Sequence, residues 1–429
     1  GEEREQAQQQ AKRIFVFEDN QVRGLSLTQS GEEIVLAKAA DGQWTITAPI
    51  ETDADKGAVD SVVRNLRDAQ TDRVVADSTA ELSPYGLDDP AVKVSLLLEE
   101  ERTDTLFLGD ESPTGSYVFA KMGRSHEVFT ASSSLLAEVG KGLFDLRDKR
   151  VLGFEKNDVE KLELKQRGGP LFVLSKAGSE WMMEQPRKLL GDQDEVNKIL
   201  TKLNSGKAQT FVTEKPDHPR SYGLDGPDIE VTLWLGKDKA KKLLKIGDRE
   251  DPNRYYAQDE ARDPVFTVDS TLVQELRKDL FALRDKKVVR FERSRIDQID
   301  LVYADSSIVC QKDTSDTWRV TVPVVHAAKK WKVSGMLSDV ASLVAEEFVA
   351  EQAGDLSRYG LDAPKVTLRL WEGSKILTEV LLGNTKGNLV YAKVADRETV
   401  YLVKSRMLEK LSPKVADLLD EEKKEKELQ

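Results

Sequence analysis

The stretch Tyr85-Gly86-Leu87-Asp88-Asp89-Pro90 occurs three times in this sequence, with changes at its fifth position. The other copies read Tyr222-Gly223-Leu224-Asp225-Gly226-Pro227 and Tyr359-Gly360-Leu361-Asp362-Ala363-Pro364, and the interval between consecutive copies is the same both times. Glycine adopts a positive φ easily, aspartate favours turns and proline fixes φ, so each copy predicts a turn that leads into a strand. The constant spacing predicts one structural unit that is repeated three times along the chain.

Tryptophan residues follow the same period. Trp44, Trp181 and Trp318 are separated by the interval that separates the three turns, and each is followed five positions later by a proline. We expect each tryptophan to fill the core beneath a sheet and each proline to end the strand. The period places repeat 1 at 12–148, repeat 2 at 149–285 and repeat 3 at 286–422, with a polar lead (1–11) and a polar tail (423–429) outside the repeats.

The apolar pattern within each repeat predicts an α+β fold. Short alternating runs at the start of the unit are typical of an antiparallel meander. Four apolar residues between Val59 and Leu66 have the i, i+3, i+4, i+7 spacing of an amphipathic helix, and both later repeats show the same pattern. A second antiparallel four-stranded set follows, clearest where apolar residues alternate from Ile229 to Leu235, and a closing helix completes the unit.

Two features are predicted at the ends of these elements. The pairs Gly109-Asp110, Gly247-Asp248 and Gly383-Asn384 are interpreted as hairpin turns rather than as metal ligands. Ser133, Ser270 and Ser405 are predicted to cap the closing helix.

The connections between repeats are Leu146-Arg147-Asp148-Lys149 and Leu283-Arg284-Asp285-Lys286. They contain no proline or serine run of the kind found in flexible linkers, so we expect stiff coupling between successive repeats. Their basic residues are compatible with docking an acidic partner. We favour solvated cations at a helix end, where the helix dipole is negative.

Composition argues against several classes of protein, although it does not exclude a local basic patch. The formal net charge of −12 argues against nucleic acid as a general partner, because phosphate binding needs a positive surface. The single cysteine, Cys310, excludes an intramolecular disulfide and is expected to be a buried apolar residue. No run of about 18 apolar residues is present, so this sequence predicts no transmembrane helix.

No pattern in the sequence predicts catalysis, a cofactor or a metal site. His126, His218 and His326 occupy different positions in the repeat, and none has zinc-ligand spacing. Phosphate-binding loops are also missing. Tyr85, Tyr222 and Tyr359 are the best candidates for a repeated ligand contact, although a structural role is favoured for them and for the rest of the signature.

The repeat as a whole resembles a bacterial family known as domain of unknown function 4340. The resemblance depends on the Trp-x-x-x-x-Pro strand end, the amphipathic helix, Tyr-Gly-Leu-Asp-x-Pro, the Leu-x-x-Gly-Asp hairpin and the Leu-Arg-Asp-Lys exit, and it covers residues 12–422. The third repeat departs at its end, where Pro413-Lys414-Val415-Ala416-Asp417 replaces Leu-Arg-Asp-Lys.

This resemblance implies an envelope protein, tethered to the inner membrane by a helix before Gly1 and exposed on the outer, periplasmic side. It also implies an association with ABC transporters of the gliding-motility type, and it implies no catalytic residue. We therefore expect a non-enzymatic accessory or scaffold protein, because repeats supply extended or multivalent surfaces. The alternatives are a binding module for glycan, peptidoglycan or lipid, and a hydrolase with its site between repeats.

Overall fold

The computed structural model describes residues 12–421 except 79, 237 and 239. The predicted lead (1–11) and tail (423–429) therefore lie outside the described residues. Residue contacts divide the chain into two compact units. Unit 1 comprises the described residues up to 158 together with 201–274, and unit 2 comprises 159–200 and the described residues from 275 onward.

The elements recur with the period seen in the sequence. Repeat 1 contains β1 (Val22–Gln29), β2 (Glu32–Lys38), β3 (Trp44–Ala48), β4 (Thr52–Asp53), α1 (Lys56–Asp68), β5 (Arg73–Ala76), β6 (Val92–Leu98), β7 (Thr103–Glu111), β8 (Tyr117–Met122), β9 (Val128–Ser132), α2 (Ser134–Val139) and α3 (Leu143–Leu146). Repeat 2 contains β10 (Val159–Gln166), β11 (Leu171–Ala177), β12 (Glu180–Gln185), β13 (Leu189–Leu190), α4 (Gln193–Ser205), β14 (Thr210–Thr213), β15 (Ile229–Leu235), β16 (Ala240–Asp251), β17 (Arg254–Asp259), β18 (Val265–Asp269), α5 (Ser270–Leu276) and α6 (Leu280–Leu283).

Repeat 3 contains β19 (Gln298–Val302), β20 (Ser307–Lys312), β21 (Trp318–Val322), β22 (His326–Ala327), α7 (Lys330–Ala341), β23 (Glu347–Ala350), β24 (Val366–Glu372), β25 (Lys375–Lys386), β26 (Leu389–Val394), β27 (Val400–Lys404), α8 (Arg406–Leu411) and α9 (Val415–Leu418). Short 3-10 helices lie at Asp19–Gln21, Ser83–Tyr85, Glu99–Glu101, Lys156–Asp158, Pro219–Tyr222, Arg293–Arg295 and Ser357–Tyr359.

The strands of the described residues form three antiparallel nine-stranded sheets. The first sheet has the order β4-β3-β2-β1-β6-β7-β8-β9-β5, and the other two have the same order of equivalent strands. The meander and the second strand set, predicted separately, are thus halves of one sheet. Leu25 on β1, for example, lies opposite Leu36 on β2 and opposite Leu96 on β6.

The amphipathic helix covers this sheet as its sequence predicts. In α1 the buried residues are the four apolar ones, and in α7 they are the equivalent four. Asp55 caps α1 by accepting a hydrogen bond from the Ala58 N–H at 3.0 Å. The structure contains more strand relative to helix than the predicted α+β fold implies, since it is 43% strand and 23% helical.

The closing helix differs from its prediction in two respects. It is two short helices in every repeat, for example α2 and α3, which are separated at Gly140. Neither Ser133 nor Ser405 makes a side-chain capping bond within the described residues, and Ser270 is already inside its helix. In repeat 2 the cap is Asp269, which accepts a hydrogen bond from the Leu272 N–H at 2.9 Å.

Candidate protein-interaction surface

The signature turn packs against the Gly-Asp pair of its own repeat. Gly86 adopts a φ of +63°, and a Cβ added to Gly109 would lie 2.1 Å from the Tyr85 carbonyl oxygen. The equivalent distances are 2.0 Å at Gly247 and 2.3 Å at Gly383. The Gly-Asp pair is therefore wrongly predicted as a hairpin turn. It lies inside β7, at a shift in the register between β7 and β8, and its bare backbone accommodates the signature.

The signature tyrosines contact a neighbouring aromatic ring in each repeat. The ring centroids of Tyr85 and Phe119 are 5.2 Å apart, with an interplanar angle of 65° that is typical of edge-to-face packing. The corresponding distances are 5.1 Å for Tyr222–Tyr256 and 5.1 Å for Tyr359–Tyr391. All three tyrosines are half-buried, as are Pro90, Pro227 and Pro364, whereas Asp88, Asp225 and Asp362 are exposed. The signature thus holds its repeat together through its backbone, its rings and its prolines.

The tryptophans lie in the cores of their repeats. Trp44, Trp181 and Trp318 are all buried, and the Trp44 Nε1–H donates to the Asp60 carboxylate at 2.9 Å. The following X–Pro bonds are cis in all three repeats, and each proline directly follows the end of its strand. The prediction that these tryptophans are core residues is confirmed.

The first connection between repeats is built on Arg147, which is 3% exposed. Its guanidinium donates two hydrogen bonds to the Glu214 carboxylate, at 2.7 and 3.0 Å. The guanidinium carbon also lies 3.4 Å from the centre of the Phe211 ring, which in turn contacts Phe144 and Phe266. Because a guanidinium is planar and delocalised, it can bind a carboxylate at its edge and stack on a ring with its face.

The second connection reproduces this arrangement within unit 2. Arg284 is 7% exposed and donates to the Glu351 carboxylate, at 2.5 and 3.4 Å. Its guanidinium carbon lies 3.4 Å from the centre of the Phe348 ring, which contacts Phe281. We call each such cluster of arginine, glutamate and aromatic rings a joint.

The joints correct the prediction that these arginines are solvated. Their stacking partners were not identified from the sequence, although Phe211 and Phe348 are separated by one repeat period, as are Glu214 and Glu351. The signal is present in two repeats only, since the equivalent residues of repeat 1 are Val74 and Asp77.

A cleft of about 550 Å³ lies beside the first joint. Its lining residues are Thr45, Ile50, Glu51, Thr52, Asp53, Arg147, Asp148, Phe211, Glu214, Arg262, Asp263, Pro264 and Phe266. Burial tends to raise the pKa of Asp148, but hydrogen bonds from Arg150 and its positive charge hold that pKa below its ordinary value. Asp148 is thus a charged, paired group, which suits a structural ion pair rather than proton transfer.

The end of repeat 3 has no arginine at the position that Arg147 and Arg284 occupy in repeats 1 and 2. The backbone bridges Ala54–Arg147 and Gly191–Arg284 have their counterpart in Ala328–Leu419. The structure therefore aligns Leu419, rather than a residue in the predicted stretch 413–417, with the joint arginines.

Repeat 3 also exposes four large apolar side chains within residues 322–331. They are Val322, Val324, Val325 and Trp331, with Val325 at 72% and Trp331 at 70% exposure. We call these four residues the tail face.

The three histidines do not form a catalytic or metal-binding site within the described residues. His126 and His218 are exposed, while the half-buried His326 lies with its Nδ1 2.9 Å from the Ala327 carbonyl oxygen. Among the described residues, no group of three or more His, Cys, Asp or Glu is arranged to hold a metal ion. Cys310 is buried as predicted, and burial raises its pKa to about 12. None of the helices in the described part of the chain combines the length and apolar character needed to cross a membrane.

Three similar sheets with recurring joints define a tandem-repeat protein. The chain belongs to the family described as Domain of unknown function (DUF4340), which it matches at residues 44–189, 181–321 and 318–425. The comparison with curated proteins gives no match. Among solved structures it is similar to a DNA polymerase sliding clamp from Pseudomonas aeruginosa, with 10% identity over 91% of this chain and 93% of that chain. The TM-score is 0.15, and similarity at this level supports no inference about fold or function.

Proposed function

We propose that this protein is a non-enzymatic scaffold of the cell envelope that presents three similar domains to protein partners. The joint is the observation that carries the proposal. A buried arginine, held by a bidentate carboxylate and an aromatic face, restrains the connection far more than a flexible linker does. Domains joined in this way keep their binding surfaces at a defined spacing, which favours simultaneous attachment to one large partner.

The signature supports the same role. The tyrosine, glycines and proline that recur are engaged within their own repeats, so that what is repeated is a folding unit. The surfaces differ between repeats, as Trp331 of repeat 3 replaces Asp194 and Gly57 of the earlier ones. A scaffold uses such variety to contact different parts of an assembly.

We propose that the partner is a membrane transporter complex of the ABC type and that the protein acts on the periplasmic side. The test is affinity purification of the full-length natural protein from membranes, followed by identification of the co-purified proteins. Transporter subunits are expected with the wild-type protein, and in reduced amount with the joint variants Arg147→Lys and Arg284→Lys. The matched control is Arg220→Lys, whose side chain is 90% exposed, and it should leave the yield unchanged. Recovery of no transporter subunit by the wild type would contradict the proposal.

Glycan binding is a second candidate, and one observation favours it. Phe144 and Phe281 occupy equivalent positions and are 42% and 37% exposed. Partly exposed rings offer apolar faces on which sugar rings stack. The test is co-sedimentation of the protein with insoluble peptidoglycan. Retention that is lost in the double variant Phe144→Ala, Phe281→Ala but kept in Arg147→Lys and Arg284→Lys, which weaken the joints and leave these rings in place, would favour this function over the scaffold.

A further inference from the structure

The loop after each cis proline faces the following repeat. In repeat 1 this loop contributes Ile50 and Glu51 to the cleft that Phe211 and Glu214 of repeat 2 also line. In repeat 2 it contributes Arg187, whose guanidinium lies 3.5 Å from the Glu351 carboxylate of repeat 3. The loop is therefore part of the surface through which a repeat binds its successor.

The same loop is apolar and open in repeat 3. Val324 and Val325 stand where repeat 2 has Arg187 and Lys188, and Trp331 stands where it has Asp194. Together with Val322 they form the tail face, which none of the described residues covers. Exposed apolar side chains at positions where the preceding repeat carries charged ones mark a docking site, because solvent-facing surfaces of soluble proteins rarely concentrate large apolar groups.

The first repeat carries the complementary open surface. Its β5 is the strand whose equivalents carry Phe211 and Phe348, and it presents Val74 at that position. Val74 is 44% exposed. We call Val74 and the flanking acids Asp72 and Asp77 the head face.

At both the tail side and the head side, aliphatic residues occupy the positions that hold the arginine and the aromatic rings in a joint. On the tail side, Leu419 replaces the joint arginine and Ala416 replaces the aromatic residue of α3 and α6. On the head side, Val74 replaces the stacked phenylalanine. An arginine opposite valine, or a phenylalanine opposite leucine, would lose its stacking partner, whereas leucine and valine suit each other. Lys330 and Lys332 beside Trp331 are opposite in charge to Asp72 and Asp77, and the acids Asp420 and Glu421, which line the cavity at Trp331, are opposite in charge to Arg73.

We propose that the tail face of one copy of this protein binds the head face of a second copy, and so continues the series of repeats between molecules. This contact is heterologous, because each copy contributes a different surface. The partner that covers the tail face is thus the head face of another molecule of the same protein.

Complementation between two variants tests the proposal. Trp331→Asp removes the tail face and Val74→Asp removes the head face. Both changes are at exposed positions, so the fold should be retained, which circular dichroism verifies. The matched controls are Ile376→Asp in repeat 3 and Leu97→Asp in repeat 1, which alter exposed apolar residues outside the two faces. Association is measured by sedimentation velocity at protein concentrations up to about 100 μM, the range in which small transient interfaces assemble.

The wild type and both controls are expected to associate, and each face variant alone is expected to be monomeric. A mixture of the two variants should form a dimer and nothing larger, because it contains one intact head and one intact tail. Self-association of Val74→Asp alone, with loss in Trp331→Asp, would mean tail-to-tail contact and overturn the proposal. A wild type that stays monomeric at every concentration would overturn it as well. Val325→Lys provides a second tail variant with the same expected result.

Discussion

The guanidinium of Arg147 stacks on the ring of Phe211, with 3.4 Å between the guanidinium carbon and the ring centre. These residues belong to successive repeats, so the contact holds one domain to the next. Arg284 and Phe348, each one repeat period further along the chain, are separated by the same distance. Because the same contact occurs at equivalent positions in both connections, we infer that it is a regular part of the way successive repeats are joined.

Replacing Arg147 by lysine should weaken the first joint. Lysine keeps the charge but cannot bind Glu214 with two parallel hydrogen bonds while stacking on Phe211. We expect the free energy of unfolding to fall by about 1–2 kcal/mol, the usual range for a desolvated cation–π contact. Urea titration followed by tryptophan fluorescence measures the change. Arg220→Lys is the control, and equal midpoints for the two variants would show that the stacking contributes little.

Replacing Gly109 by alanine should destabilise repeat 1. The new Cβ would lie 2.1 Å from the Tyr85 carbonyl oxygen, so the signature turn must move away from β7. We expect a loss of about 1–3 kcal/mol, as for other overpacked sites. Gly335→Ala is the matched control, because Gly335 lies inside α7 with open space around it. That variant should gain about 0.5–1 kcal/mol from helix propensity. A Gly109→Ala protein as stable as the wild type would refute the docking of the signature.

The thiol of Cys310 should report the opening of repeat 3. It is buried, and its pKa is raised to about 12, so the native protein presents very little thiolate even at pH 9. Labelling with a thiol reagent should therefore be slow in buffer and fast in urea. The rate is followed by mass spectrometry, with free cysteine as the reference. Rapid labelling of the native protein would contradict the burial of this residue.

Acid should weaken the protein partly through Asp148. The pKa of Asp148 is lowered because the Arg150 hydrogen bonds and charge outweigh the effect of burial. A lowered pKa in the folded state gives stability above the ordinary carboxyl value of about 4, and this stability is lost as the pH falls through the folded pKa. Asp148→Asn should therefore be less stable than the wild type at pH 7, and the difference should shrink in acid.

Urea midpoints at several pH values measure this difference for Asp148→Asn. The exposed Asp305→Asn serves as the control and should follow the wild type throughout. A difference that stays constant from neutral to acid pH would contradict the assignment to Asp148.

Much of the fold follows from the period and the apolar pattern. The helix from Val59 to Leu66, the strand from Ile229 to Leu235 and the buried tryptophans are all local signals, and the structure confirms them. The union of both strand sets into one sheet depends on the pairing of β1 with β6, which are far apart in sequence. Alternation within a strand identifies the buried face but does not identify the neighbouring strand.

The joint was missed for a different physical reason. A sequence shows that Arg147 is charged, but not that Phe211 and Glu214 lie beside it to compensate for its burial. The prediction of a solvated cation follows from the usual behaviour of arginine, which is rarely buried unless it is paired. The tail face was also hidden, since an apolar residue in the sequence is expected to be buried, whereas Val324, Val325 and Trp331 are exposed.

The outermost strand at one end of each sheet is short. It has two residues in all three sheets, namely Thr52–Asp53, Leu189–Leu190 and His326–Ala327. During synthesis, three nearly equivalent modules emerge one after another, and a long free edge would template pairing with a strand of the neighbouring module. Two residues offer few backbone groups for such mispairing. The brevity of these edge strands therefore protects the nascent chain against cross-module misfolding.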